Sequence, residues 1–146
     1  VSSNSTIRDN HWDAFDFDRG WVALPHSWAH EHNASPGLNI PDDETKGLFI
    51  LDAYHQMHCL TVIRSALYTM LRGEEAPPRE LHWRHCLDFL RQEIECRADD
   101  TPLSTKHMDG SLRLCSSWAK MDEWAAEHES CWKKDNNVWV KKKLCS

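Results

Sequence analysis

Apolar residues recur every three or four positions in two neighbouring parts of the chain, the spacing that puts side chains on one face of an α-helix. This pattern predicts a first helix over about 50–71 and a second over about 78–97. The apolar positions of the first helix are Leu60, Ile63, Leu67 and Leu71. Those of the second are Leu81, Phe89, Leu90 and Ile94. We expect both stripes to face the core.

The connection between these two helices is short and carries turn-forming residues. Gly73 follows the first stripe, where it can end the helix, and Pro77 and Pro78 stand before the second helix. Two helices of similar length joined by a short connection pack as antiparallel neighbours. The sequence therefore predicts a helix hairpin.

The other segments are less regular. A third helix is predicted over about 115–128. Its apolar face is formed by Trp118, Met121, Trp124 and Ala125, which we expect to pack against the hairpin. Residues 20–24 predict a short strand and residues 138–140 an edge strand. Prolines and glycines in residues 25–47 predict a long irregular loop, and residues 98–114 predict another.

The predicted fold class is mainly α: a small helical domain around an antiparallel helix hairpin, with long irregular loops and short edge strands. A chain of 146 residues is long enough for one core. We therefore expect a single domain over residues 1–146, in which residues 1–12 and 133–146 are peripheral.

One six-residue pattern, HxxHCL, occurs in both hairpin helices. It begins at His55 and again at His82, 27 positions later. Positions i, i+3 and i+4 share a helix face, so each copy presents two imidazoles and one thiol together. These side chains are His55, His58, Cys59, His82, His85 and Cys86. Paired helices that project such ligands inward hold one or two metal ions in helix bundles, so the repeat predicts a metal site.

The ligand types limit which metal this site can take. Imidazoles without nearby carboxylates suit zinc, copper or nickel better than magnesium, calcium or manganese. A closed structural zinc site with two cysteines and two histidines is the main alternative to a catalytic metal. Attachment of a c-type haem is excluded because it needs the cysteines before the histidine. If the two thiols are oxidised, only imidazoles remain, which favours a redox or catalytic metal with open positions. One shared ion and two separate ions fit the spacing equally well.

Several residues near the repeat have open roles. The predicted loops carry four histidines, any of which can extend the metal site or face solvent: His26, His30, His32 and His107. Tyr54 precedes the first motif and points away from the face of His55 and His58. We therefore expect Tyr54 to pack, the alternative being a redox or proton partner.

Charge and cysteine content indicate the partners and the compartment. With 17 basic and 23 acidic residues the net charge is −6, and no basic stripe is present, so we expect no nucleic-acid partner. Six cysteines and the acceptor patterns at Asn4 and Asn33 favour glycosylation in an oxidising secretory compartment. We expect Cys96 to pair with Cys115. We expect a second disulfide between Cys131 and Cys145. The chain begins at Val1, and we expect that a targeting or anchoring segment precedes it.

The doubled HxxHC pattern, residues 96–101, and the cysteine that opens a tryptophan-bearing helix resemble the UstYa family of fungal oxidases over about residues 20–128. The resemblance implies a copper-dependent oxidase or oxygenase of mycotoxin and peptide natural-product biosynthesis. Such enzymes act at unactivated C–H bonds by oxidative cyclisation, desaturation, hydroxylation or chlorination. The resemblance places the catalytic metal on His55, His58, His82 and His85, with Cys59 and Cys86 as ligands or disulfide partners.

The same resemblance implies a small-molecule or peptide substrate, and dioxygen or peroxide as co-substrate. It also implies a single-pass protein with this domain in the secretory lumen, as a homo-oligomer or together with a related family member. A different class of function stays open, a non-catalytic helper or binding module stabilised by zinc or copper. Substrate, oxidative outcome and number of metal ions are left undetermined by the sequence.

Overall fold

The computed structural model describes residue 12 and residues 15–75, 80–98, 115–135 and 137–145. The chain divides into two compact units, each built from two stretches of sequence. We call the first, Val1–Phe15 with Gln56–Ser116, the helical unit. The second, Asp16–His55 with Ser117–Ser146, is the sheet unit.

The described residues include four α-helices and five strands, together with two short 3₁₀ helices. The helices are α1 (His26–Glu31), α2 (Asp52–Leu71), α3 (Glu80–Arg97) and α4 (Trp118–Glu127). The strands are β1 (Trp21–Pro25), β2 (Leu38–Ile40), β3 (Asp43–Ile50), β4 (Trp132–Asp135) and β5 (Val138–Lys141). The predicted helical character is confirmed, with short antiparallel strands added to it. No helix in this part of the chain is both long and apolar enough to cross a bilayer.

The core of the sheet unit is an antiparallel sheet with strand order β1-β3-β2. Strand β1 pairs with β3 from Trp21 opposite Ile50 to Pro25 opposite Lys46. Val22 and Leu24 are buried while their neighbours in β1 are more exposed, as the two-residue period of a strand requires. The strand predicted over residues 20–24 is therefore confirmed.

The C-terminal segment belongs to the same unit. Strands β4 and β5 form an antiparallel hairpin, and the predicted disulfide between Cys131 and Cys145 is present. The backbone of residues 128–130 hydrogen-bonds to β1: Ala23 N donates to His128 O, and Ser130 N donates to Trp21 O. The segment between α4 and β4 is thus joined to the first strand of the sheet.

Within the helical unit, α2 ends as predicted. Gly73 has φ of +75°, the left-handed conformation that a glycine after a helix adopts without steric cost. Helix α2 covers residues 52–71 of the predicted 50–71. The described part of α3 begins at residue 80, and residues 76–79 of the predicted turn lie outside the described residues.

Residues 25–47 do not form the irregular loop that was predicted. They contain α1, β2 and most of β3. The prolines were misleading because they lie at element boundaries: Pro25 ends β1, and Pro41 is in the turn between β2 and β3. The strands between them are too short, or too mixed in burial, to show a clear period.

The predicted core stripes of α2 and α3 are also partly wrong. Four of their apolar side chains are largely exposed: Leu60 (41%), Leu67 (52%), Leu71 (80%) and Ile94 (73%). The buried positions of these helices, among the described side chains, are instead Tyr54 and three smaller residues, Cys59, Ala66 and Cys86. Small side chains allow closer approach of neighbouring elements than leucines do, whereas periodicity reveals only that a face is apolar.

Candidate metal centre

Two continuous helices carry the repeated motif, as predicted. Helix α2 holds His55, His58 and Cys59, and α3 holds the corresponding His82, His85 and Cys86. His55 is the last residue that groups with the sheet unit, whereas the five others belong to the helical unit. Within the helical unit, corresponding and neighbouring motif residues of the two helices meet in pairs.

Cys59 and Cys86 form the most deeply buried of these pairs. Both side chains are fully shielded from solvent, and the two thiols are hydrogen-bonded to each other. Burial, followed by the hydrogen bond and the electrostatic effect of Cys86, raises the pKa of Cys59 to about 12. The Cys59 thiol therefore stays protonated at neutral pH unless a metal ion or an oxidant changes its state.

His58 and His82 form the second pair. Their ring centroids are 5.6 Å apart with an interplanar angle of 31°. Burial, with a smaller effect from His82, lowers the pKa of His58 below its usual value. His58 is consequently neutral at pH 7, the form in which an imidazole offers a lone pair to a metal.

A third contact between the helices was not anticipated from the sequence. The Gln56 side-chain amide donates to Glu93 Oε2 at 3.2 Å, and Glu93 also lies 3.6 Å from Arg97 Nε. Glu93 follows Cys86 by seven residues, which is two helical turns and therefore the same face. That spacing was the signal that could have identified this carboxylate.

The other two motif histidines are placed differently. His85 is exposed, with its ring centroid 6.3 Å from that of Phe89, and His55 is half-buried in the first turn of α2. Across the residues that the structure describes, no three His, Cys, Asp or Glu side chains are gathered as a metal-binding group. The geometry therefore brings possible donor groups together only in pairs: two imidazoles and two thiols.

This donor set fits copper or zinc. The contact between His58 and His82 brings together two imidazoles, a ligand type that zinc and copper both accept. Thiolate and imidazole ligands both favour copper and zinc over hard cations. The chemistry of the donors, rather than a preformed cage, is what fits the metal.

The histidines predicted in loops have other partners or lie elsewhere. His26 Nε2 is 3.0 Å from Asn39 Oδ1, and His32 stacks on Trp28 with ring centroids 4.1 Å apart. His30 is exposed on α1, and His107 lies outside the described residues. These contacts give His26 and His32 structural roles in the sheet unit.

Tyr54 packs inside the sheet unit, as predicted, and makes a polar contact that the sequence did not reveal. The residue is 2% exposed, and its hydroxyl donates a short hydrogen bond to Asp122 Oδ1 on α4. Burial, reinforced by Asp122, raises the pKa of Tyr54 above its usual value. The Trp118 ring lies beside Tyr54, with centroids 5.2 Å apart. Because 68 positions separate Tyr54 from Asp122, no local pattern links them.

The predicted disulfide between Cys96 and Cys115 is not formed. Cys96 and Cys115 are both exposed and are not joined, because nearness to helix ends does not set the Cα separation that a disulfide needs. Cys59 and Cys86 are in contact as thiols.

The chain is similar in sequence to several known fungal proteins. It is 30% identical over 142 residues to a hydroxylase, cctR, of Talaromyces islandicus, an overlap of 92% of this chain and 54% of that protein. A chlorinase of the same fungus, cctP2, is 29% identical, with 88% of this chain and 43% of that protein covered. The oxidase ustYa of Aspergillus flavus is 36% identical over 83 residues, or 57% of this chain and 37% of that protein. The chain thus spans about half the length, or less, of these relatives.

No solved structure matches the chain significantly. A family model described as mycotoxin biosynthesis protein UstYa matches residues 2–128, which include both HxxHC motifs and most of the described elements. This match confirms the resemblance seen in the sequence: the chain belongs to the UstYa family.

Proposed function

We propose that this chain is the oxidative domain of a copper-dependent oxidoreductase of fungal secondary metabolism. The observation that carries the proposal is the contact between His58, the second histidine of the first motif, and His82, the first histidine of the second motif. Relatives named hydroxylase, chlorinase and oxidase support an oxidative reaction. The substrate is a small-molecule or peptide natural product, functionalised at a C–H bond by hydroxylation, chlorination, desaturation or ring closure.

The two helices form an antiparallel hairpin in this proposal. Cys59 contacts Cys86, whereas Gln56, earlier on α2, contacts Glu93, later on α3. In antiparallel helices, a residue nearer the start of one helix contacts a residue nearer the end of the other. The Gln56–Glu93 hydrogen bond fixes the register of the hairpin beside the histidines.

The motif side chains have different roles in the proposed site. The metal is held by His58 and His82, with His55 and His85 as the remaining imidazole ligands. Burial keeps His58 neutral, so it can bind a metal without first losing a proton. The buried thiols of Cys59 and Cys86 exclude water from the helix contact and are available as additional ligands. When bound, copper supplies one-electron redox chemistry with dioxygen or peroxide.

The second candidate function is a structural zinc module, and the buried thiol pair specifically favours it. Two cysteines and two histidines are a common closed zinc ligand set. Such an ion would contribute to folding and would leave no position for a substrate. Its removal should therefore unfold the helical unit.

Metal analysis of the purified protein distinguishes the two candidates. We expect mass spectrometry to count bound copper after exposure to Cu(II), with the count reduced in His58→Ala and His82→Ala. His30→Ala, at an exposed position on α1, is the matched control and should retain the wild-type count. One zinc ion that copper does not displace, with unfolding on chelation, would contradict the oxidase and support the structural module.

A lumenal location is part of the proposal. The Cys131–Cys145 disulfide is typical of an oxidising compartment, and Asn33 is exposed, as a glycosylated asparagine must be. Expression in a fungal host followed by glycosidase treatment should shift the mass of the protein. Asn33→Gln and Asn4→Gln show which acceptor is used, and an unchanged mass in the wild type would contradict lumenal glycosylation.

A further inference from the structure

A buried phenol with its own proton acceptor lies next to the first motif histidine. Tyr54 immediately precedes His55 on α2, is 2% exposed, and donates a short hydrogen bond to Asp122 Oδ1. Gly20 makes room for this residue, since a Cβ at Gly20 would lie 2.5 Å from Tyr54 Cβ. The phenol and its acceptor are thus held in one arrangement.

An indole connects this phenol with the surface. The rings of Tyr54 and Trp118 are 5.2 Å apart at their centroids, and Trp118 is 42% exposed. Trp118 is the first residue of α4, and Asp122 lies one turn later on the same face of that helix. One short helix therefore supplies both the proton acceptor and the exposed aromatic neighbour.

We propose that Tyr54, Asp122 and Trp118 form an electron relay in which Tyr54 is oxidised by one electron while its proton moves to Asp122. The proposal rests on the proposed oxidative function, because the relay needs a one-electron oxidant, here a peroxide-derived oxidant of the class that the proposed enzyme would use. No substrate role is assigned to Tyr54.

The step balances in protons and electrons. The Tyr54 O–H group gives one electron to the oxidant and its proton to the Asp122 carboxylate, which leaves a neutral tyrosyl radical, a carboxylic acid and the singly reduced oxidant. Trp118 then returns one electron to Tyr54, and the proton moves back from Asp122. The oxidised Trp118 indole is reduced by an external one-electron reductant such as ascorbate, which its exposure makes accessible.

The geometry explains why these three residue types occur together. A phenol that loses an electron becomes a strong acid, so a buried tyrosine is readily oxidised only beside a base. The Asp122 carboxylate is that base, already hydrogen-bonded to the hydroxyl. The relay would let electrons enter from solvent, and it would remove oxidising equivalents when no substrate is bound.

The test uses metal-free protein and a ruthenium(III) polypyridyl oxidant generated by a light flash with persulfate. The chain contains only two tyrosines, and Tyr68 is 47% exposed, so all variants carry Tyr68→Phe to remove its signal. Ring-deuterated tyrosine separates tyrosyl from tryptophanyl radicals in freeze-quench electron paramagnetic resonance. We expect a tyrosyl signal in the Tyr68→Phe protein and its loss when Tyr54→Phe is added.

Two further variants test the proton acceptor, Asp122, and the exposed electron-transfer residue, Trp118. Asp122→Asn should reduce the tyrosyl yield about tenfold because the carboxylate base is gone. Trp118→Phe should slow the decay of the radical in ascorbate, whereas the matched Trp139→Phe, in β5, should not. Circular dichroism checks that each variant is folded.

The relay is wrong if the Tyr68→Phe protein gives no tyrosyl signal, or if Asp122→Asn leaves the yield unchanged. Because the sample contains no metal, failure of copper binding in the separate metal analysis would overturn the oxidase proposal and leave this result intact. Copper binding without a tyrosyl signal would overturn the relay alone.

Discussion

Cys59 and Cys86 occupy the same position of two motif copies and meet as hydrogen-bonded thiols that solvent does not reach. This contact, rather than the leucine stripe beside it, forms the buried face of the motif helices. The reactivity of the two cysteines is therefore governed by their burial.

Alkylation should separate the buried thiol from an exposed one. With a pKa of about 12, the buried Cys59 carries very little thiolate at pH 8, so we expect it to react at least about a thousandfold more slowly than the exposed Cys96. Mass spectrometry of peptides after timed treatment of the native, metal-free protein with iodoacetamide measures both rates. Equal rates in folded protein would contradict the buried thiol pair, and equal rates in denaturant are the expected control.

The His58–His82 contact predicts that their effects on copper affinity are coupled. If both bind one ion, the loss from His58→Ala and the loss from His82→Ala should not add in the double variant. Competition titrations with a chromogenic copper chelator give the three affinities relative to wild type. Additive losses would indicate that the two histidines hold separate ions.

Removal of the disulfide should destabilise the sheet unit. Cys131 and Cys145 are 14 positions apart, and a cross-link that closes a loop of this size contributes about 3 kcal/mol by restricting the unfolded chain. We expect the Cys131→Ala, Cys145→Ala double variant to lose about this much free energy of unfolding in urea. Cys96→Ser changes an exposed thiol and should stay within about 0.5 kcal/mol of wild type.

Lys142 lies in a run of three lysines, and we expect its replacement to lower the free energy of unfolding strongly. It is 4% exposed, and its ammonium group donates to Asp18 O, Trp21 O and Glu129 Oε1. Lys142→Met keeps the chain length but leaves the Glu129 carboxylate without this partner, so we expect a cost of about 3 kcal/mol or more.

The neighbouring lysine provides the control for that experiment. Lys141 is exposed, and Lys141→Met should change the free energy of unfolding by about 0.5 kcal/mol or less. Chemical denaturation of both variants measures the difference. Equal losses at the two positions would show that the buried ammonium group is not responsible.

Gly20 predicts a steric effect on Tyr54. In Gly20→Ala the new methyl group would lie 2.5 Å from Tyr54 Cβ, so the backbone or the tyrosine must move, at a cost of about 1–3 kcal/mol. Gly73→Ala has open space around the new Cβ and strains only the backbone, at about 1 kcal/mol. Thermal denaturation ranks the two variants, and a smaller effect at Gly20 would contradict the close contact.

Local sequence patterns predicted the bounds of the helices better than they predicted which helix side chains are buried. Helix α2 was identified within two residues of its start because its apolar period is long and regular. The same period gave the wrong core, since Leu67 and Leu71 are exposed while Cys59 is buried. Periodicity shows that side chains share a face, but the contacts that bury a face are made by residues distant in sequence.

The same limit applied to the candidate metal centre, where the sequence predicted spacing within a helix but not contacts between segments. The repeat correctly placed histidines and thiols on two helices, because a motif within a helix fixes their spacing. It could not show which histidines meet, nor the Tyr54–Asp122 hydrogen bond, because these depend on how separate segments pack. The Gln56–Glu93 contact could be predicted in part from the sequence, since Glu93 lies on the same face of α3 as Cys86.

The joining of residues 128–130 to β1 has a consequence for synthesis on the ribosome. Strand β1 can pair with β3 soon after both emerge, but its other partners arrive only after the whole of the motif helices has been made. The motif helices therefore have time to form local contacts before the sheet unit is complete. Until residues 128–130 leave the ribosome, Val22 lacks the neighbour that Glu129 provides, and that strand edge is open to pairing with other strands.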